Sequence, residues 1–101
     1  MAIFIMTGKY SAESLKEISA QRTAEVNEIF QQCGGKVVAA YATLGDADLV
    51  AIVELPGVNE AVKASIALNR AFGFSFSTVP ALPMADFDRL VGTEPALEGW
   101  V

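Results

Sequence analysis

The chain has 101 residues, of which 52% are hydrophobic and 19% charged, and its net charge is −5. That length holds one hydrophobic core and not two, and the acidic balance offers no cationic footprint to a nucleic acid. No apolar run reaches the roughly 20 residues that span a bilayer, and the absence of histidine removes the usual general base, metal ligand and haem ligand.

Ile3 to Thr7 is a short β-rich run, predicted to form strand one and to stop at Gly8. Ser11 then stands where a helix N-cap belongs, with Glu13 placed to complement the positive helix end. Leu15, Ile18, Arg22, Val26, Ile29 and Cys33 recur at steps of three and four, which predicts one continuous helix closed by Gly34-Gly35. Val37 to Thr43 and Asp48 to Glu54 are the next two strands, joined by Leu44-Gly45-Asp46-Ala47 as a hairpin loop. Pro56-Gly57 breaks the chain, and Asn59 is expected to cap an alanine-rich second helix that runs to about Phe72 and ends at Gly73. Phe74 to Val79 alternates as a fourth strand, and after Pro80 only one short helical stripe remains, Met84, Phe87, Leu90 and Val91.

The order strand, helix, strand, strand, helix, strand is the split βαβ arrangement. It predicts an α+β domain of the ferredoxin-like kind, an antiparallel sheet with both helices on one face. Residues 1–80 form this domain, and 81–101 a C-terminal short helix and tail. Leu97, Trp100 and Val101 are large apolar residues, so the tail is expected to pack on the domain or on a neighbouring protomer.

Strands one to three are apolar on both faces. Ile3 and Ile5 oppose Phe4 and Met6; Val37, Ala39 and Tyr41 oppose Val38, Ala40 and Ala42; Leu49, Ala51 and Val53 oppose Val50 and Ile52. Helices cover only one set, and exposing the other forgoes about 1.5–3 kcal/mol per large side chain. A homo-oligomer, a dimer or higher, is therefore expected.

Lys9-Tyr10-Ser11, Arg22, Gly34-Gly35-Lys36, Tyr41, Leu44-Gly45-Asp46-Ala47-Asp48-Leu49-Val50 and Glu54-Leu55-Pro56 together resemble the GYD-domain family, over roughly residues 2 to 80. Ala47 stands where that family's Gly-Tyr-Asp signature has its tyrosine. The resemblance implies a ferredoxin-like protomer that pairs into a dimeric α/β barrel. It implies no particular activity; architectural relatives include cofactor-free monooxygenases, isomerases and ligand-sensing modules, an analogy of fold alone.

Arg22 is the most informative residue, a guanidinium inside a core-facing stripe that must find a partner or reach water. Asp48, or failing that Asp46, is its expected partner in a structural ion pair. The sharper alternative is an anion or carboxylate site formed by Arg22 with the Tyr10 or Tyr41 hydroxyl and Asp48 nearby. Cys33 alone makes no internal disulfide or metal site and reads as an inert thiol. Gly34-Gly35 follows a helix instead of opening one, so it is no phosphate loop. No cofactor or metal is expected.

Three functions stay open. The first is a homo-oligomer that binds a small apolar or acidic molecule in a barrel cavity. The second is a cofactor-independent oxygenase or isomerase, with Asp48, Tyr10 or Tyr41 moving the proton. The third is an interaction module with no ligand. The single cysteine and a start without the basic region of a secretory leader lead us to expect a cytoplasmic protein, with neither membrane nor nucleic acid as partner.

Overall fold

The computed structural model describes residues 1–92. Its elements are β1 (Ala2–Tyr10), α1 (Ala12–Lys16), α2 (Ala20–Gln32), β2 (Lys36–Ala42), β3 (Leu49–Leu55), α3 (Val58–Phe72), β4 (Phe74–Ala81) and α4 (Met84–Gly92). The four strands form one antiparallel sheet in the order β2-β3-β1-β4. This is the ferredoxin-like arrangement that the element order predicts.

The two central strands carry the core because their alternation is strict. Phe4 pairs with Val53 and Met6 with Ala51, and all four are buried beneath Phe30 of α2 and Ala61, Ala64 and Leu68 of α3. Alanines on α3 let that helix lie close to the sheet, as their recurrence in the sequence suggests. Gly34 and Gly73 close α2 and α3 with left-handed backbone (φ 85° and 74°), a region that a residue without Cβ enters freely. Pro80 sits in β4, an edge strand, where a missing N–H is tolerated.

Several expectations are corrected. The first helix is not continuous: α1 ends at Glu17, and Ser19 restarts the chain as a second N-cap whose hydroxyl accepts the Arg22 N–H at 3.1 Å. The break shifts the helical phase, so Leu15 and Ile18 leave the predicted core stripe and are each 57% exposed. Phe30 is the residue of α2 that fills the core instead.

Strand one does not stop at Gly8 but runs on to Tyr10. Glycine is required there because a Cβ would stand 2.6 Å from the Phe76 ring and 3.0 Å from a Leu49 methyl. A bulge between Val37 and Ala39 splits the alternation of β2, so Val37 shares the helix-covered face with Ala40 and Ala42, while Ala39 and Tyr41 join the opposite one. The cap of α3 is Gly57, with no side-chain bond, and Asn59 lies one residue inside the helix.

The opposite face of the sheet has no described element over it. Ile3, Ile5, Val50, Ile52, Ala39, Tyr41 and Val79 share it, with Lys36 and Glu54 joined across one edge by a 3.9 Å ion pair. In α4 an Arg89–Asp86 pair lies on the polar side, and Met84, Phe87, Leu90 and Val91 are all exposed. The expected docking of Leu97, Trp100 and Val101 lies outside the described residues.

Gly35 provides a check of the α2–β2 junction, since a Cβ there would meet the Glu54 carbonyl oxygen at 1.9 Å. Gly35→Ala is expected to lower stability by about 2–3 kcal/mol, the upper range for forcing a methyl into packed structure. Urea denaturation measures this, and an unchanged midpoint would show that β2 enters the sheet differently.

Candidate functional site: a cleft between α2 and the sheet

Arg22 is the third residue of α2, and the restarted helix turns it inward until it is only 8% exposed. Its partner is not a carboxylate. Nη1 donates to the Ser14 carbonyl at 2.5 Å and to the Ser14 hydroxyl at 3.2 Å. Its Cζ stands 5.4 Å from the Tyr10 ring centroid and 5.0 Å from that of Phe74, a cation set over two adjacent rings whose own centroids are 5.3 Å apart. Arg22 thus fastens the end of α1 to α2 and to the ends of β1 and β4.

The expected Arg22–Asp48 ion pair is therefore corrected: burial is as predicted and the partner is not. Asp48 serves a different junction. Its Oδ2 accepts the Tyr10 N–H at 3.0 Å, its N–H donates to the Gly8 carbonyl at 2.8 Å, and its carbonyl accepts the Thr43 N–H at 2.9 Å. The Thr43 hydroxyl also donates to the Ala47 carbonyl at 2.8 Å. These bonds fix the β2–β3 loop against the end of β1. Asp46 makes no ion pair with Arg22 among the described residues.

Between α2 and the sheet lies an open cleft of about 180 Å³. Arg22, Ser19, Val26 and Phe30 form its helix side, and Tyr10, Phe74, Phe76, Ala51 and Val37 its sheet side, with Tyr41 at the border. Tyr10 and Arg22 are thus brought together, whereas Tyr41, whose strand position belongs to the opposite face, only borders the cleft, and Asp48 is not part of the lining. The sequence reading missed Ser14, Ser19, Phe30, Phe74 and Phe76. Only the capping preference of Ser19 was there to find; the rest depends on the helix break and on strand pairing.

The cleft forms where α2 leaves β2 only partly covered. Ala40 and Ala42 are on the helix-covered face yet stay exposed. No aspartate or glutamate lines it, and Arg22 is its one charged side chain among the described residues. Chemically it offers hydrogen-bond donors, aromatic walls and a fixed cation. It offers no carboxylate base. Cys33 caps the far end of α2, half-buried against the core, and does not line the cleft.

A second groove, of about 260 Å³, runs between α3 and the sheet beside Phe4, Val62, Ile66, Phe76 and Pro80. It contains no charged group, and the Ser65 and Thr78 hydroxyls there bond each other at 3.3 Å. Among the described residues no cluster of three or more His, Cys, Asp or Glu could hold a metal, and no helix is long and apolar enough to cross a membrane.

The family model of the GYD domain matches residues 4–91, which takes in every described element except the first residues of β1 and the last of α4. No curated protein and no solved structure gives a significant match.

The Asp48 assignment is open to a double-mutant cycle. Asp48→Ala should cost about 1–3 kcal/mol by orphaning the Tyr10 N–H, and Asp48→Asn less than about 1 kcal/mol because it keeps an acceptor. Neither should alter the cost of Arg22→Met by more than about 1 kcal/mol. A coupling of about 3 kcal/mol or more would restore the direct ion pair.

Proposed function

The chain belongs to the GYD domain family, and from that premise we propose that it is a homo-oligomeric protein that binds a small molecule in the cleft between α2 and the sheet. The observation that carries this reading is the cleft itself, a concave and mostly apolar site with a few convergent polar groups. A buried guanidinium, a tyrosine on the sheet and the capped start of α2 meet at it. A domain that needed only a packed core would gain by filling this space with side chains.

Oligomerisation is supported by the open sheet face. Ile5, Val50 and Ile52 at its centre, with Tyr41 and Val79 beside them, form a contiguous apolar surface rimmed by Lys36, Glu54 and Lys9. A second copy applied sheet to sheet, giving a dimeric α/β barrel, buries that surface and leaves each α2 cleft on the outer side of its own sheet. The exposed stripe of α4 then packs on the neighbouring protomer. A cytoplasmic setting accords with Cys33, which is a free thiol.

The enzymatic alternative draws less from this geometry. Asp48 is occupied by the Tyr10 N–H, which leaves Tyr10 as the proton-transfer candidate whose strand position faces the cleft. No observation on the described residues favours catalysis over binding.

Native mass spectrometry tests both halves together. It should give a dimer or larger assembly that retains or takes up one small molecule per chain. Ile52→Glu, which places a charge at the centre of the open face, should shift the assembly to monomer while the α2 cleft stays intact. A wild-type protein that is monomeric at micromolar concentration would remove the oligomer from the proposal.

A further inference from the structure

Resting on the cleft reading above, we infer that the ligand is a small organic monoanion, a carboxylic acid built on about one ring, with its carboxylate on the outer edge of Arg22. The chain carries an excess of five negative charges, yet the cleft lining contains no acid and a single cation. The lining therefore presents an approaching anion with one cation and no carboxylate.

The second step is the state of the guanidinium. Its two hydrogen bonds both leave from Nη1, and both acceptors are oxygens of Ser14 that carry no formal charge. Burying a cation without a counter-charge is costly, and the aromatic faces of Tyr10 and Phe74 offset only part of that. Nε and Nη2 have no hydrogen-bond acceptor among the described residues. No fully buried side-chain nitrogen or oxygen among them lacks a partner, so these two groups retain an accessible side. Arg22 is one of the residues that line the cleft, and the cleft is the side on which the proposed ligand reaches these two groups.

The third step is geometry. Nε and Nη2 lie on one edge of the guanidinium and present two parallel N–H groups, the fork that a carboxylate fits with both oxygens. Nη1 is fixed to Ser14 on the other side, so the fork is held in place before a ligand arrives. The positive end of α2, marked by the Ser19 cap, is at the same end of the cleft and favours negative charge there.

The last step concerns the remainder of the ligand. Phe30, Phe74, Phe76, Val26 and Val37 supply apolar walls, and the cleft volume of about 180 Å³ is close to the roughly 150 Å³ that accommodates benzene in a protein interior. A phosphate or other strongly hydrated dianion would find one fork and then apolar surface. An aromatic or alicyclic ring bearing one carboxylate uses both parts.

Benzoate, benzamide and inorganic phosphate are suitable probes, titrated into the full-length protein at low ionic strength and followed by amide and arginine Nε NMR shifts. Benzoate should move the Arg22 Nε–H resonance together with amides of Ser19, Phe74 and Phe76, and bind at least tenfold tighter than benzamide. Arg22→Lys keeps the charge but loses the fork, and should weaken benzoate about tenfold and benzamide by clearly less. Should Arg22→Lys fail to fold, the wild-type Nε–H shift and the benzoate-to-benzamide ratio decide alone. Equal affinity for benzoate and benzamide would overturn the anion assignment and leave the cleft reading standing. Phosphate binding as tightly as benzoate would overturn the ring acid. Shifts confined to other surfaces, or none with any probe, would overturn both readings.

Discussion

A buried guanidinium without a carboxylate partner is the constraint around which one end of this molecule is organised. Arg22 is held by a backbone carbonyl, a hydroxyl and two aromatic faces, and those partners come from α1, β1 and β4. The chain must break its first helix to make this possible. A continuous helix from Ser11 would place Ser14 and Arg22 eight residues, or roughly 12 Å, apart along one axis, beyond reach of a hydrogen bond. With the break at Glu17 to Ser19, the last turn of α1 folds back to the start of α2, and the Ser14 carbonyl becomes an acceptor. The exposed Leu15 and Ile18 are consequences of the same turn.

The sheet answers a different constraint, that two apolar faces cannot both be covered by two helices. The helix-covered face is completed by Phe30, Ala61, Ala64 and Leu68 over the central strands. At the β2 edge coverage is incomplete, and the cleft results. The cleft and the open face are therefore related: both arise because the helical layer is narrower than the sheet and lies on one side of it. Tyr41, on an edge strand, marks where the two meet, since it pairs with Val50 on the open face and also borders the cleft.

Strand alternation was legible because β1 and β3 keep a strict period of two, and the two opposing sets read from the sequence are those of the structure, which adds that Phe4, Met6, Ala51 and Val53 are the inward ones. Strand two was legible only in part, since its bulge inserts one residue and reverses which side chains share a face from Ala39 onward. The helix break was hidden by a pattern that continued through it: Leu15, Ile18 and Arg22 keep helical spacing although no helix runs through them. Gly8 looked like a terminator because glycine usually punctuates strands, whereas here it makes room for Phe76 on the neighbouring strand. The burial of Arg22 followed from the stripe, but its partner did not. Sequence reasoning pairs a charge with a charge, and a main-chain carbonyl that becomes available only after a helix breaks leaves no mark in residue identity.

The division of labour between Arg22 and Asp48 also bears on what this site can do. Had the two formed the expected pair, the guanidinium would be neutralised and its fork filled, and the cleft would offer no unneutralised cation. Because Asp48 instead accepts the Tyr10 N–H, it steadies the strand that carries one of the aromatic faces beneath Arg22. The carboxylate thus contributes to the site at one remove, by fixing Tyr10, while its charge faces a backbone N–H and not the cleft. That separation leaves a cation available in an acidic protein, next to rings that exclude water on one side. Such an arrangement favours holding an anion over abstracting a proton, because general-base work needs an acceptor of suitable basicity within reach of the substrate. The acceptor best suited to it here is committed to the fold.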